Sequence, residues 1–305
     1  MSPRGTSASL LPDLAELVAL RGAAHGLSLR ARRPVLANLQ GAHHGARRGR
    51  GLEFEEVRPY APGDDVRNID WRVTARRGRP HTRLYREERE RPVWLLADLH
   101  AGLFFGSRRQ FKSALLLRAA ALLGWTAALG GDRVGALIGL PGSSPRILPP
   151  RGREAGILPV LQALVEAQPR SPGGSGRGGL GVALGGLLPL LQPGSLVLLL
   201  SDFSSLDETA ATALAGASLH NDCRLLWITD PLERAGLPDG QYRVGLPGRL
   251  WWLDGERSRK TWQQAWNARV DRLGDLADRL ALPLLHLSTA DALVDSLPPL
   301  LREAA

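Results

Sequence analysis

From residue 92 to the C-terminus, short apolar runs alternate with longer stretches of helical spacing, and this alternation narrows the possible folds more than any other feature of the chain. The runs at 93–98, 133–140, 196–201, 223–229 and 284–287 read as strands. The stretches at 110–129, 154–167, 182–191, 208–217, 258–280 and 292–302 read as helices, and 243–253 as a hairpin turning through Pro247 and Gly248. Residues 171–181 are glycine-rich and read as a flexible connection. Strands alternating with helices of this length predict an α/β domain over 92–305, with a mostly parallel sheet covered on both faces. Ligands of such sheets sit beyond the carboxyl ends of the strands. Asp98 and Asp202, each closing an apolar run, are therefore the first candidates for chemistry.

The chain before this domain divides in two. Residues 1–48 contain a short helix over 10–24, with Leu11, Leu14, Leu17 and Val18 at helical spacing, and then an irregular basic segment. His43 and His44 in that segment read as plain loop histidines. Residues 49–91 hold a dense mixture of charge, aromatics and turn residues. Apolar positions at near-alternate spacing (Leu52, Phe54, Val57, Tyr60; Val66, Ile69, Trp71, Val73; Thr82, Leu84, Tyr85) predict three short strands joined by turns at 62–65 and 78–80, a small β-rich appendage. Its arginines lie close to acids in sequence, as Arg67 does to Asp64, Asp65 and Asp70, which favours a paired network over a basic stripe.

That distribution bears on the formal net charge of +9. A positive field draws polyanions, but most of the arginines in residues 1–92 alternate with acids; 30–33 and 47–50 are short basic clusters, and no recognisable nucleic-acid-binding motif accompanies them. Lys112 and Lys260 are the only lysines among 39 basic residues, a bias read here as genome base composition. A single cysteine, Cys223, excludes an intrachain disulfide and a thiolate zinc site. No signal-peptide core and no apolar span of about 20 residues is evident, which predicts a cytoplasmic chain.

Read in order, Gly49 to Gly51, Glu53 with Phe54, Arg58, Tyr60 to Arg67, Ile69 to Trp71, and Ala75 with Arg76 resemble the signature of the bacterial domain-of-unknown-function 58 family. The resemblance implies that the C-terminal part is similar to a von Willebrand factor A domain. It also implies partnership with a MoxR-type AAA+ ATPase in assembling or maturing other proteins. Von Willebrand-like domains commonly hold a divalent cation through an Asp-x-Ser-x-Ser loop, a Gly-Gly-Thr loop and a later aspartate. Here Asp98 matches the first aspartate, but the serine positions hold His100 and Gly102. Gly178 and Gly179 match the double glycine, Leu180 stands at the threonine, and Asp202 matches the last aspartate. Two readings result: an altered metal site of Asp98, His100 and Asp202, or a degenerate one whose aspartates hold loops, with Ser201, Ser204 and Ser205 as replacement oxygens. The degenerate site is the favoured one.

The resulting expectation is a non-enzymatic scaffold or adaptor. Its candidate partner surface comprises Arg58, Tyr60, Asp64, Asp65, Arg67, Asp70 and Trp71. The alternatives are a metal-dependent phosphoryl-transfer enzyme using Asp64, Asp65 and Asp70, and a nucleic-acid-binding protein. Trp251 and Trp252 fit either hairpin packing or an exposed contact.

Overall fold

The computed structural model describes residues 10–29, 52–61, 66–87, 90–172, 179–246, 249–297 and 302–303. It starts with helices α1 (Leu14–Ala19) and α2 (Arg21–Ala24) and a short strand β1 (Leu27–Ser28). Next come β2 (Leu52–Pro59), α3 (Trp71–Arg77) and β3 (His81–Glu87). Then follow β4 (Pro92–Asp98), α4 (Lys112–Leu129), β5 (Arg133–Gly139), β6 (Arg146–Gly152) and α5 (Glu154–Ala167). The central part continues through α6 (Leu180–Leu187), β7 (Leu196–Ser201), α7 (Glu208–Ser218), β8 (Asp222–Thr229) and α8 (Pro231–Ala235). The chain closes with β9 (Gln241–Leu246), β10 (Arg249–Asp254), α9 (Gly255–Arg279), β11 (Leu284–Ser288), α10 (Leu293–Ser296) and β12 (Arg302–Glu303).

Six strands form one sheet in the order β11-β8-β7-β4-β5-β6, parallel throughout except for the antiparallel β5–β6 pair. The two-residue period of a strand explains how helices cover both faces. Val93, Leu95 and Ala97 of β4 join the core built with α4 and α5, whereas Trp94 and Leu96 join the core built with α6, α7 and α9. Each of these leucines is fully buried, a position that contributes roughly 1.5–3 kcal/mol relative to an exposed one. Apolar on nearly every face, α4 lies buried at the centre. Its 18 residues make it the one described helix long and apolar enough to cross a membrane, but 94% of it is buried inside the α/β unit.

Three sequence expectations need correction here. The strand β6 was not expected, because Pro149 and Pro150 argue against a ladder; it survives at the sheet edge, where a missing N–H is tolerated. The helix expected at 292–302 shortens to α10, since Pro298 and Pro299 lack the amide hydrogens that continuation would use, and 302–303 pairs instead with β1. The second strand expected before residue 74 is a 3-10 turn, Val66–Asn68, followed by α3. There Asp70 caps the helix by accepting from the Arg72 and Val73 amides, and Gly78, at φ 69°, closes it, so local capping overrides the alternation.

The chain forms two compact units, Met1–Val35 with Arg91–Ala305, and Leu36–Glu90. In the smaller unit β2 and β3 pair antiparallel, with a register shift between Phe54 and Glu56. The N-terminal helices are part of the larger unit's core rather than of a separate 1–48 segment. Leu17 is fully buried, Trp125 Nε1 donates to its carbonyl at 3.1 Å, and Arg118 Nε meets Glu16 Oε1 at 2.6 Å.

Candidate functional site

The sheet grows from β4 one way through β5 and β6, and from β7 the other way through β8 and β11, so the carboxyl ends of β4 and β7 flank its switch point. The two strand-end aspartates face this point from buried positions. Asp98 Oδ2 accepts from Ser201 Oγ at 2.8 Å and from Ser205 Oγ at 3.3 Å, while its Oδ1 is buried without a hydrogen-bond partner. Asp202 Oδ1 accepts from the Ser204 amide at 2.9 Å and lies 3.2 Å from His100 Nε2.

The other Asp202 oxygen, Oδ2, accepts from Lys112 Nζ at 2.7 Å. The same ammonium donates to Glu233 Oε1 at 3.0 Å, and Arg269 Nη2 reaches that oxygen at 3.1 Å. Local structure sets each partner in place. Lys112 is the first residue of α4, and Glu233 closes the capping box of α8, where its Oε2 accepts from the Asp230 amide. The Trp227 indole donates to the Asp202 carbonyl, and Phe203, next along, holds φ 52°. A left-handed phenylalanine costs on the order of 1–3 kcal/mol, so the loop after β7 is held by its surroundings.

Charge balance follows from this geometry. Burial alone would raise the Asp202 carboxyl, but the Lys112 charge and the His100 hydrogen bond hold it well below the ordinary carboxylate value. Burial likewise works against the Lys112 ammonium, and Asp202 and Glu233 outweigh it, so lysine is raised. For His100 burial again opposes the charged form, and Asp202 overcomes it, leaving the imidazole raised. Asp98 differs: burial is its largest influence and lifts its carboxyl above the ordinary value.

A divalent ion at this edge would need several free oxygens at about 2.0–2.6 Å. Both Asp202 oxygens already accept from N–H donors, and the space between Asp202 and Glu233 holds an ammonium. Neither Gly102 nor Leu180 offers a side-chain oxygen, and Leu180 is buried in the apolar cluster with Ala183, Phe203 and Leu206. Gly178 lies outside the described residues. The residues present do not fit a divalent cation.

The candidates of the smaller unit form a different environment. Asp64 and Asp65 lie outside the described residues. Arg58 pairs with Thr82, the Tyr60 amide donates to the Pro80 carbonyl at 2.9 Å, and the Asp70 amide to the His81 carbonyl at 2.8 Å. Backbone pairing thus gathers Arg58, Tyr60 and Asp70 around the start of β3. The Asp70 carboxylate is committed to its helix cap, Arg67 is exposed in the 3-10 turn, and Trp71 is 67% exposed. In the larger unit the β9–β10 hairpin leaves Leu250, Trp251 and Trp252 exposed rather than packed in a hairpin core. Sequence reasoning missed Lys112, Glu233 and Asp230. The available signal was the rarity of lysine: a chain that uses arginine almost everywhere spends one of two lysines at this site.

Uncharacterized proteins of Mycobacterium bovis and Mycobacterium tuberculosis are 35% identical over 184 residues, which is 60% of this chain. The match spans 57% of the length of those relatives. An aerotolerance-related membrane protein of Bacteroides fragilis, crystallised with multiple mutations to serines, superposes with a TM-score of 0.43 at 11% identity, over 68% of this chain and 97% of that one. The conserved hypothetical protein BatB of Bacteroides thetaiotaomicron gives a TM-score of 0.35 at 14% identity, over 63% and 98% of the two chains. The family model described as "Protein of unknown function DUF58" matches residues 56–272, across both units, and the chain belongs to that family.

Proposed function

We propose that this chain is a non-enzymatic scaffold or adaptor that docks onto a MoxR-type AAA+ ATPase in the cytoplasm and serves the assembly or maturation of other proteins. The observation that carries the reading is the hairpin β9–β10, which holds Trp252 70% exposed and Trp251 46% exposed beside Leu250. Tryptophan and arginine are the side chains that most often anchor protein interfaces, and Arg243 and Arg249 lie on the same hairpin. At the sheet edge, where a ligand of such a fold would bind, Asp202 and Glu233 are engaged with an internal ammonium. Within this chain neither lysine follows a glycine, so it contains no Gly-Lys phosphate-binding loop, and ATP-driven work is assigned to the partner. The choice of a MoxR-type partner rests on the family resemblance of residues 49–76.

The test mixes the purified chain with the MoxR-type ATPase of its source organism and measures association by light scattering coupled to gel filtration, together with ATP hydrolysis. A stable complex that Trp252→Ala weakens tenfold or more, about 1.4 kcal/mol, supports the reading. No complex at micromolar concentration overturns it. Hydrolysis of a phosphate ester by the isolated chain, lost in Asp202→Asn, would replace it with the phosphoryl-transfer alternative.

A further inference from the structure

We propose that Lys112 is a tethered cation: its ammonium stands where a divalent ion would stand at the carboxyl edge of this sheet, so the wild-type site is complete without metal. The inference goes beyond the docking reading and does not depend on it. A cation at a sheet edge joins acids from separate loops. Lys112 does so, joining Asp202 after β7 to Glu233 on α8, at 2.7 and 3.0 Å. The lysine side chain is 3% exposed, so no carboxylate from a partner can reach the ammonium without rearranging the edge.

Three further observations point the same way. Lys112 opens α4, where the helix dipole disfavours a positive charge, so its presence answers the carboxylates rather than the helix. An ammonium is a compact charge whose donors diverge toward separate acceptors, whereas a guanidinium is a planar fork; this separates Lys112 from the arginines the chain uses elsewhere. The two acceptor oxygens are also too far from the ammonium for metal bonds. An ion at the Nζ position would need each loop to move inward from 2.7 and 3.0 Å to about 2.0–2.6 Å.

The wild-type protein, stripped with a chelator, is titrated calorimetrically with magnesium and with manganese, and its melting temperature is followed with and without each ion. The expected result is no saturable heat and no shift in melting. A saturable isotherm that Asp202→Asn abolishes overturns the proposal. In parallel, Lys112→Ser is melted with and without manganese. It is expected to melt below wild type and to regain part of the loss with manganese, because Asp202 and Glu233 then face an empty space. Melting equal to wild type without metal overturns the proposal, and so does a lowered melting temperature that manganese leaves unchanged. Should Lys112→Ser fail to fold, the wild-type titration decides alone. A metal-free result together with no ATPase binding would remove only the docking reading, and metal binding together with ATPase binding only the tethered cation.

Discussion

The buried sheet edge and the stretch that carries the family signature use the same residue types toward opposite ends. At the edge, Asp202, Glu233 and Lys112 are shielded from water, and each charge is matched by a partner far away in sequence. In the stretch around α3, Arg67 and Trp71 are exposed and Asp70 satisfies two amides of its own helix. Burial makes the difference. In a low-dielectric interior an unpaired charge is costly, so buried charges must be matched by one another. At the surface, water solvates charges as well, so a pair there contributes little to stability.

The largest expected effect comes from breaking the buried half. Lys112→Met leaves two carboxylates without their ammonium and should cost about 3–5 kcal/mol of unfolding free energy, measured by urea denaturation. A loss below about 1 kcal/mol, typical of exposed pairs, would erase the contrast with the surface stretch. In the smaller unit, Asp70→Ala removes a helix cap and should cost about 1 kcal/mol. Hydrogen exchange should place that loss in α3 and leave the amides of β4 and β7 protected.

A pH series sharpens the comparison further. Because His100 is raised in the folded protein, its contribution to stability is fully present below 6.5 and is lost as pH rises through its folded value. Denaturation midpoints should fall over that interval in the wild type, and His100→Asn should flatten the decline. Lys112 follows the same sign, but its contribution fades only above 10.5. The smallest effect on stability belongs to Arg67→Ala, within about 0.5 kcal/mol for an exposed side chain. If the surface stretch serves docking, that variant nonetheless loses affinity for the ATPase in the gel-filtration assay, and unchanged affinity would assign the interaction to the β9–β10 hairpin alone.

Much of the fold was legible because strands buried on both faces must be apolar without interruption. The runs ending at Asp98 and Asp202 became β4 and β7, and their order placed both aspartates at the carboxyl edge. Local rules that compete with periodicity were harder to read. The alternation of Val66, Ile69, Trp71 and Val73 suggested a strand, and the Asp70 cap with Gly78 made a helix instead. The prolines of β6 hid an edge strand, because edge position is a property of the sheet and not of the segment.

By itself the sequence determined the α/β architecture and the strand-end position of Asp98 and Asp202, since these depend on residue type and spacing along the chain. Only the tertiary structure decided what stands beside those aspartates. Lys112 is 90 residues from Asp202 and 121 from Glu233, and its charge has meaning only once folding has removed water and brought all three together.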